Sequence, residues 1–198
     1  MTINRFCSSG LQAIALGAER IRAGAAQVIL AGGTESMSMV PMGGNKISPN
    51  PWLVDHYPDA YINMGLGTEN IARKFGITRE QADQFAADSH KKAVAAIAAG
   101  NFKDETVPME VKITTLPNAK GAGGSSQAAP KTVTQSFRFD TDELPRVDTS
   151  VELLAKLKPA FHAHGTVTAG NSSPMSDGAA ATIIMSEARA KSSVLLIH

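Results

Sequence analysis

Cys7 is the one cysteine among 198 residues, and it stands directly ahead of Ser8-Ser9-Gly10 and of a helical repeat opened by Leu11. A thiol at a helix start meets free backbone N–H groups and the positive end of the helix dipole. Both favour the thiolate, the form that attacks carbon. The amide that follows can donate to an oxyanion formed at a thioester carbonyl, as tight strand-to-helix turns do elsewhere. The chemistry suited to such a residue is acyl transfer. Unpaired cysteines are more often small buried hydrophobes, and position alone leaves both roles open.

The remaining titratable groups narrow the field. His56, His90, His162, His164 and His198 are the histidines, and no cysteine or carboxylate cluster accompanies them, so no metal site is expected. His90 falls in a long helical stretch and is expected to face solvent. Nineteen basic against eighteen acidic residues give a net charge of +1 with no block of either sign, which argues against a nucleic-acid partner. The apolar runs Val28 to Ala31 and Ala179 to Met185 fall far short of the roughly 20 residues of a membrane span. A single cysteine forms no internal disulfide, and Met1 to Phe6 lacks a signal pattern. The expected location is cytoplasmic.

The elements that must position these residues follow from periodicity and punctuation. Thr2 to Phe6 reads as a short strand, Leu11 to Ile21 as a helix stopped at Gly24, and Val28 to Ala31 as a strand buried on both faces and closed by Gly32-Gly33. Residues 34–61 are rich in Met, Pro, Gly and Asn and irregular. A helix is expected over Thr68 to Phe75, and a stronger one from Thr78-Arg79-Glu80-Gln81, a capping-box pattern, to Gly100. Asn118 to Lys131 reads as a mobile surface loop. Val151 to Leu157 reads as a short helix, Thr166-Val167-Thr168 and Ala179 to Met185 as strands, and Ser186-Glu187 as the opening of a last helix. The fold class is α/β.

Four stretches resemble one family in the right order. Asn4-Arg5-Phe6-Cys7-Ser8-Ser9-Gly10-Leu11-Gln12-Ala13-Ile14 resembles the nucleophile segment of thiolases. Ala31-Gly32-Gly33-Thr34-Glu35-Ser36-Met37-Ser38 is similar to the segment that follows. Met64-Gly65 with Thr68-Glu69-Asn70 resembles the start of the family's loop region. Gly165-Thr166-Val167-Thr168-Ala169-Gly170-Asn171-Ser172-Ser173, followed by Ser176-Asp177-Gly178-Ala179-Ala180-Ala181, is close to its central signature. Residues 188–198 do not continue the pattern.

The resemblance implies a layered thiolase-like fold, truncated at both ends. Residues 1–33 and 162–198 would form part of the N-terminal α/β domain and 34–161 an inserted loop domain that covers coenzyme A, with the C-terminal domain absent. It implies a Cys7 acyl-enzyme formed from a 3-oxoacyl-CoA, no permanently bound cofactor, and a homo-oligomer, dimer or tetramer. Matched by position, Met64 would sit near the thioester, Arg146 near the nucleotide end, and Leu157 and Phe161 along the groove. Ala169, Gly170 and Ser173 would hold the pantetheine amides. Core packing for Met64 and Phe161, a solvated charge for Arg146 and a tight turn at Gly170-Asn171 are the plainer alternatives. Asn63 replaces the histidine that acetoacetyl-specific members carry, which points toward the 3-oxoacyl-CoA thiolases of fatty-acid β-oxidation. The family's Asn-Glu-Ala-Phe, Gly-His-Pro and Cys-x-Gly-Gly stretches do not occur here. They supply a base and a proton shuttle worth about 10² to 10⁴ each.

Overall fold

The computed structural model describes residues 1–115 and 132–193; the 118–131 segment and the apolar tail with His198 lie outside the described residues. The chain divides into two compact units, residues 1–57 with those from 174 onward, and Pro58–Ser173.

In the first unit, α1 (Ser9–Arg22) leads to β1 (Val28–Glu35), then a long irregular stretch with the short α2 (Pro51–His56). From residue 174 onward this unit contains β4 (Gly178–Met185) and α6 (Glu187–Ser192). β1 and β4 pair antiparallel, from Val28 opposite Met185 to Glu35 opposite Gly178. Gly17 lets α1 approach the sheet, because a Cβ there would lie 3.0 Å from Ile184 Cδ1 and 3.3 Å from Ile29 Cγ2. Gly24, at φ 72°, takes the left-handed conformation that ends the helix.

Two expectations for this unit need correction. Thr2 to Phe6 is not a strand; an isolated bridge between Arg5 and Cys7 is what the backbone forms there. β1 does not stop at Gly32-Gly33 and is not buried on both faces. It runs on to Glu35, Ala31 is buried, and Leu30 remains 71% exposed. Gly32 continues the strand because the neighbouring backbone passes so close: a Cβ would lie 2.7 Å from the Ala180 carbonyl oxygen.

The second unit holds α3 (Met64–Phe75), α4 (Arg79–Ala98), a hairpin of β2 (Met109–Thr115) and β3 (Val133–Phe139), and the single-turn α5 (Val151–Leu154). α3 begins ahead of the expected Thr68 because the Asn63 side chain accepts from the Leu66 amide at 2.8 Å and caps it. α4 starts as the sequence predicts: Thr78 Oγ1 accepts from the Gln81 amide and Gln81 Oε1 from the Thr78 amide. Left-handed Gly76 and Gly100 follow the two helices. The hairpin is not anticipated above, although Val111 and Ile113 alternate with Glu110 and Lys112 as a strand requires. α5 ends at Leu154 rather than Leu157, and Thr166 to Thr168 is not a strand, since its amides are bonded to side chains instead. Among the described residues no helix is long and apolar enough to cross a membrane.

The close fit at Gly17 sets a test of the first unit. Gly17→Leu is expected to overpack α1 against Ile29 and Ile184 and to lower stability by about 1–3 kcal/mol in urea unfolding. A neutral result would show that α1 sits off the sheet.

Candidate active site

The turn ahead of α1 is built by short-range hydrogen bonds. Phe6 has φ 47°, a left-handed conformation that costs an L-residue about 1–2 kcal/mol. Its ring is 67% exposed, so packing does not repay that cost. The polar neighbours do. Asn4 Oδ1 accepts from the Phe6 amide at 2.9 Å, while Ser9 Oγ accepts from the Arg5 amide at 2.8 Å and donates to the Phe6 carbonyl at 2.7 Å. The Ser8 amide closes the turn on the Arg5 carbonyl at 3.1 Å. Strain held by over-determined contacts presents the next residue outward. Cys7 is exposed, and it lies two residues before the first residue of α1.

Beyond β1 in the same unit, Asp177 accepts from the Ser38 amide at 2.9 Å and from the hydroxyls of Ser38 and Ser36. The Ser38 hydroxyl, then its amide, hold this carboxyl below its ordinary value. The loop after β1 is thereby tied to the entry of β4.

In the second unit the positions matched by resemblance fall into two contacts and one outlier. Phe161 lies against Gly65, where a Cβ would be 2.4 Å from three ring carbons, and Met64 beside it is 74% exposed. Leu157 and Leu154 meet Gly170, whose added Cβ would lie 2.5 Å from a methyl of each. Ala169 and Ser173 are exposed on the same loop. Arg146 stands apart: its guanidinium pairs with Asp148 at 3.0 Å on the surface, and its amide donates to His90 Nδ1 at 3.1 Å. His90 is therefore half-buried and bonded rather than solvent-facing.

Two carboxylates that the sequence analysis did not single out hold the loop of residues 165–173. Glu69 accepts from the amides of Thr166 and Val167, each at 2.9 Å, and from the Thr166 hydroxyl at 3.2 Å. Burial opposes its charge, yet those two amides, the hydroxyl and the nearby His162 outweigh it and keep the carboxyl below its usual value. Asp83, 1% exposed, accepts from Arg79 Nε at 2.7 Å and from the Asn171 side-chain amide at 2.9 Å. Their signal was available: Asp83 falls on the stripe of α4 shared by Ala86, Ala87 and His90, all partly buried, where a charge needs a partner.

Thiolase N-terminal domain sequences match residues 1–188 as a family. The chain belongs to the thiolase family. It is 46% identical over 190 residues to a 3-ketoacyl-CoA thiolase of Bacillus subtilis, covering 96% of this chain and 46% of that one. It is also 46% identical over 204 residues to an acetyl-CoA acetyltransferase of Pseudomonas aeruginosa, covering 96% and 47%. Among solved structures, human mitochondrial 3-ketoacyl-CoA thiolase superposes with a TM-score of 0.74 at 37% identity, over 98% of this chain and 48% of that one. The dimeric peroxisomal thiolase of Saccharomyces cerevisiae gives 0.77 at 33%, over 98% and 45%. The α/β fold of this thiolase-family chain is that of those neighbours, and the chain spans about half the length of the curated relatives it matches. Among the described residues no three His, Cys, Asp or Glu gather as metal ligands.

Glu69 carries a pH prediction. A carboxyl lowered in the folded state contributes stability that is full above its unfolded pKa of about 4.3 and is lost as pH falls from there through the folded value. Glu69→Gln is expected to be less stable above pH 5 and to lack that share of the acid slope. Parallel acid-unfolding curves for the two proteins would refute it.

Proposed function

We propose that this chain carries the nucleophile and part of the coenzyme A groove of a thiolase, acting on 3-oxoacyl-CoA. The observation that supports it is the exposed Cys7 on the strained turn at the start of α1, inside a segment that resembles the family's nucleophile segment. In this reaction the thiolate attacks the C3 carbonyl and the C2–C3 bond breaks. The acetyl-CoA carbanion leaves and takes up a proton, and the shortened acyl group stays on Cys7 as a thioester. The thiol of a free coenzyme A then attacks that thioester, gives up its proton and restores Cys7. On this reading Met64 lies near the thioester and pantetheine arm, Leu157 and Phe161 line the adenine and pantetheine groove, Ala169, Gly170 and Ser173 hold the pantetheine amides, and Arg146 lies near the nucleotide end. Residues 1–33 and 162–198 belong to the first sheet domain, 34–161 to the insertion, and the assembled protein is a homo-oligomer.

A role in fatty-acid β-oxidation rests on Asn63, which here caps α3 where acetoacetyl-specific members have histidine. Forming acetoacetyl-CoA from two acetyl-CoA is the second reading, favoured by the equal identity to the acetyltransferase. Because the Gly-His-Pro and Cys-x-Gly-Gly stretches do not occur in these residues, the chain by itself is expected to acylate and turn over slowly.

The test is mass spectrometry after incubation with a medium-chain 3-oxoacyl-CoA. The expected result is a shortened acyl group on Cys7, absent in Cys7→Ala. A folded chain whose thiol reacts with iodoacetamide but never gains an acyl group would sink the proposal, and acylation from acetyl-CoA and acetoacetyl-CoA alone would favour the second reading.

A further inference from the structure

We infer that Arg79 and Asp83 are positioning residues that set the groove wall from one end of α4, an inference that rests on the reading of that groove as the coenzyme A site. The two segments that carry the proposed groove residues Leu157, Phe161, Ala169, Gly170 and Ser173, 154–161 and 166–173, have almost no regular structure of their own. Both are fastened to the same couple. Arg79 donates through Nε to Asp83 at 2.7 Å, and its terminal nitrogen Nη2 donates to the carbonyls of Leu154 at 2.7 Å and Leu157 at 2.9 Å. The Leu154 carbonyl, at the end of α5, also accepts from the Leu157 amide at 3.0 Å, and a planar guanidinium reaches both carbonyls while holding the carboxylate.

Asp83 turns its other oxygen to Asn171, whose side-chain amide also donates to the Thr166 carbonyl at 2.9 Å and whose Oδ1 accepts from the Thr168 amide at 2.7 Å. Thr168 is fully buried. Among the described residues no buried side-chain nitrogen or oxygen lacks a partner. Leu157 and Gly170 meet where the two fastened segments converge. The contact between them is set by a charge pair neither segment contains. The capping box at Thr78 and Gln81 fixes the turn of α4 from which Arg79 projects.

The experiment compares amide hydrogen exchange and calorimetric titration with coenzyme A in the wild type, Asp83→Asn, Arg79→Lys and Ala72→Gly. Asp83→Asn is expected to speed exchange in both segments together and to weaken coenzyme A at least tenfold, while iodoacetamide labels Cys7 at the wild-type rate. Arg79→Lys keeps a cation beside Asp83 but loses the fork, so it is expected to loosen 154–161 and leave 166–173 protected. Ala72→Gly destabilises the same unit away from the couple, and both segments are expected to keep their protection once exchange is corrected for stability. Equal loss of affinity in Ala72→Gly and Asp83→Asn, or independent loosening of the segments in Asp83→Asn, would overturn the inference. A wild type that ignores coenzyme A would instead remove the groove reading, while the exchange pattern still decides what Arg79 and Asp83 do.

Discussion

Chain without a helix or strand has no ladder to satisfy its amides and carbonyls, and between Ala155 and Ser173 side chains stand in for much of one. Glu69 on α3 takes the amides of Thr166 and Val167, and Asp83 on α4, through Asn171, secures the rest of the same loop. Asp83 is buried and Glu69 partly so, and hydrogen bonds replace the solvation each loses. The small side chains of the loop are the other half of this arrangement. A Cβ at Gly165 would lie 2.1 Å from Glu69 Oε1, so the carboxylate reaches the backbone because glycine leaves it room.

The cysteine turn works on a different scale. Asn4, Arg5, Phe6, Ser8 and Ser9 hold one another within five positions, and the left-handed Phe6 is the cost of aiming Cys7 outward. Nothing distant is needed to form it. The surrounding unit is less self-sufficient: a two-stranded sheet with α1 on it leaves Leu30 71% and Ile183 64% exposed, more apolar surface than a small unit covers alone.

A relative named 3-ketoacyl-CoA thiolase and one named acetyl-CoA acetyltransferase share the same identity to this chain, so overall similarity does not separate the two. The Asn63 side chain caps α3, directly ahead of the exposed Met64. A histidine there would have to give up the compact cap that asparagine supplies.

What the sequence by itself determined was whatever is settled within a turn or two of the chain. The Thr78 to Gln81 box, the left-handed stops at Gly24, Gly76 and Gly100, the strand over Ala179 to Met185 and the cysteine ahead of a helix are of this kind. The thiolase resemblance was legible as well, because it lies in the order of residues rather than their contacts. Tertiary structure alone decided the pairing of β1 with β4, the loop in place of a strand at Thr166 to Thr168, and the roles of Glu69, Arg79 and Asp83. The partners of those three lie 97, 75 and 88 positions along the chain. A charged residue on a helix reads as solvated until the returning chain buries it, and hydrogen-bond geometry then chooses its partner.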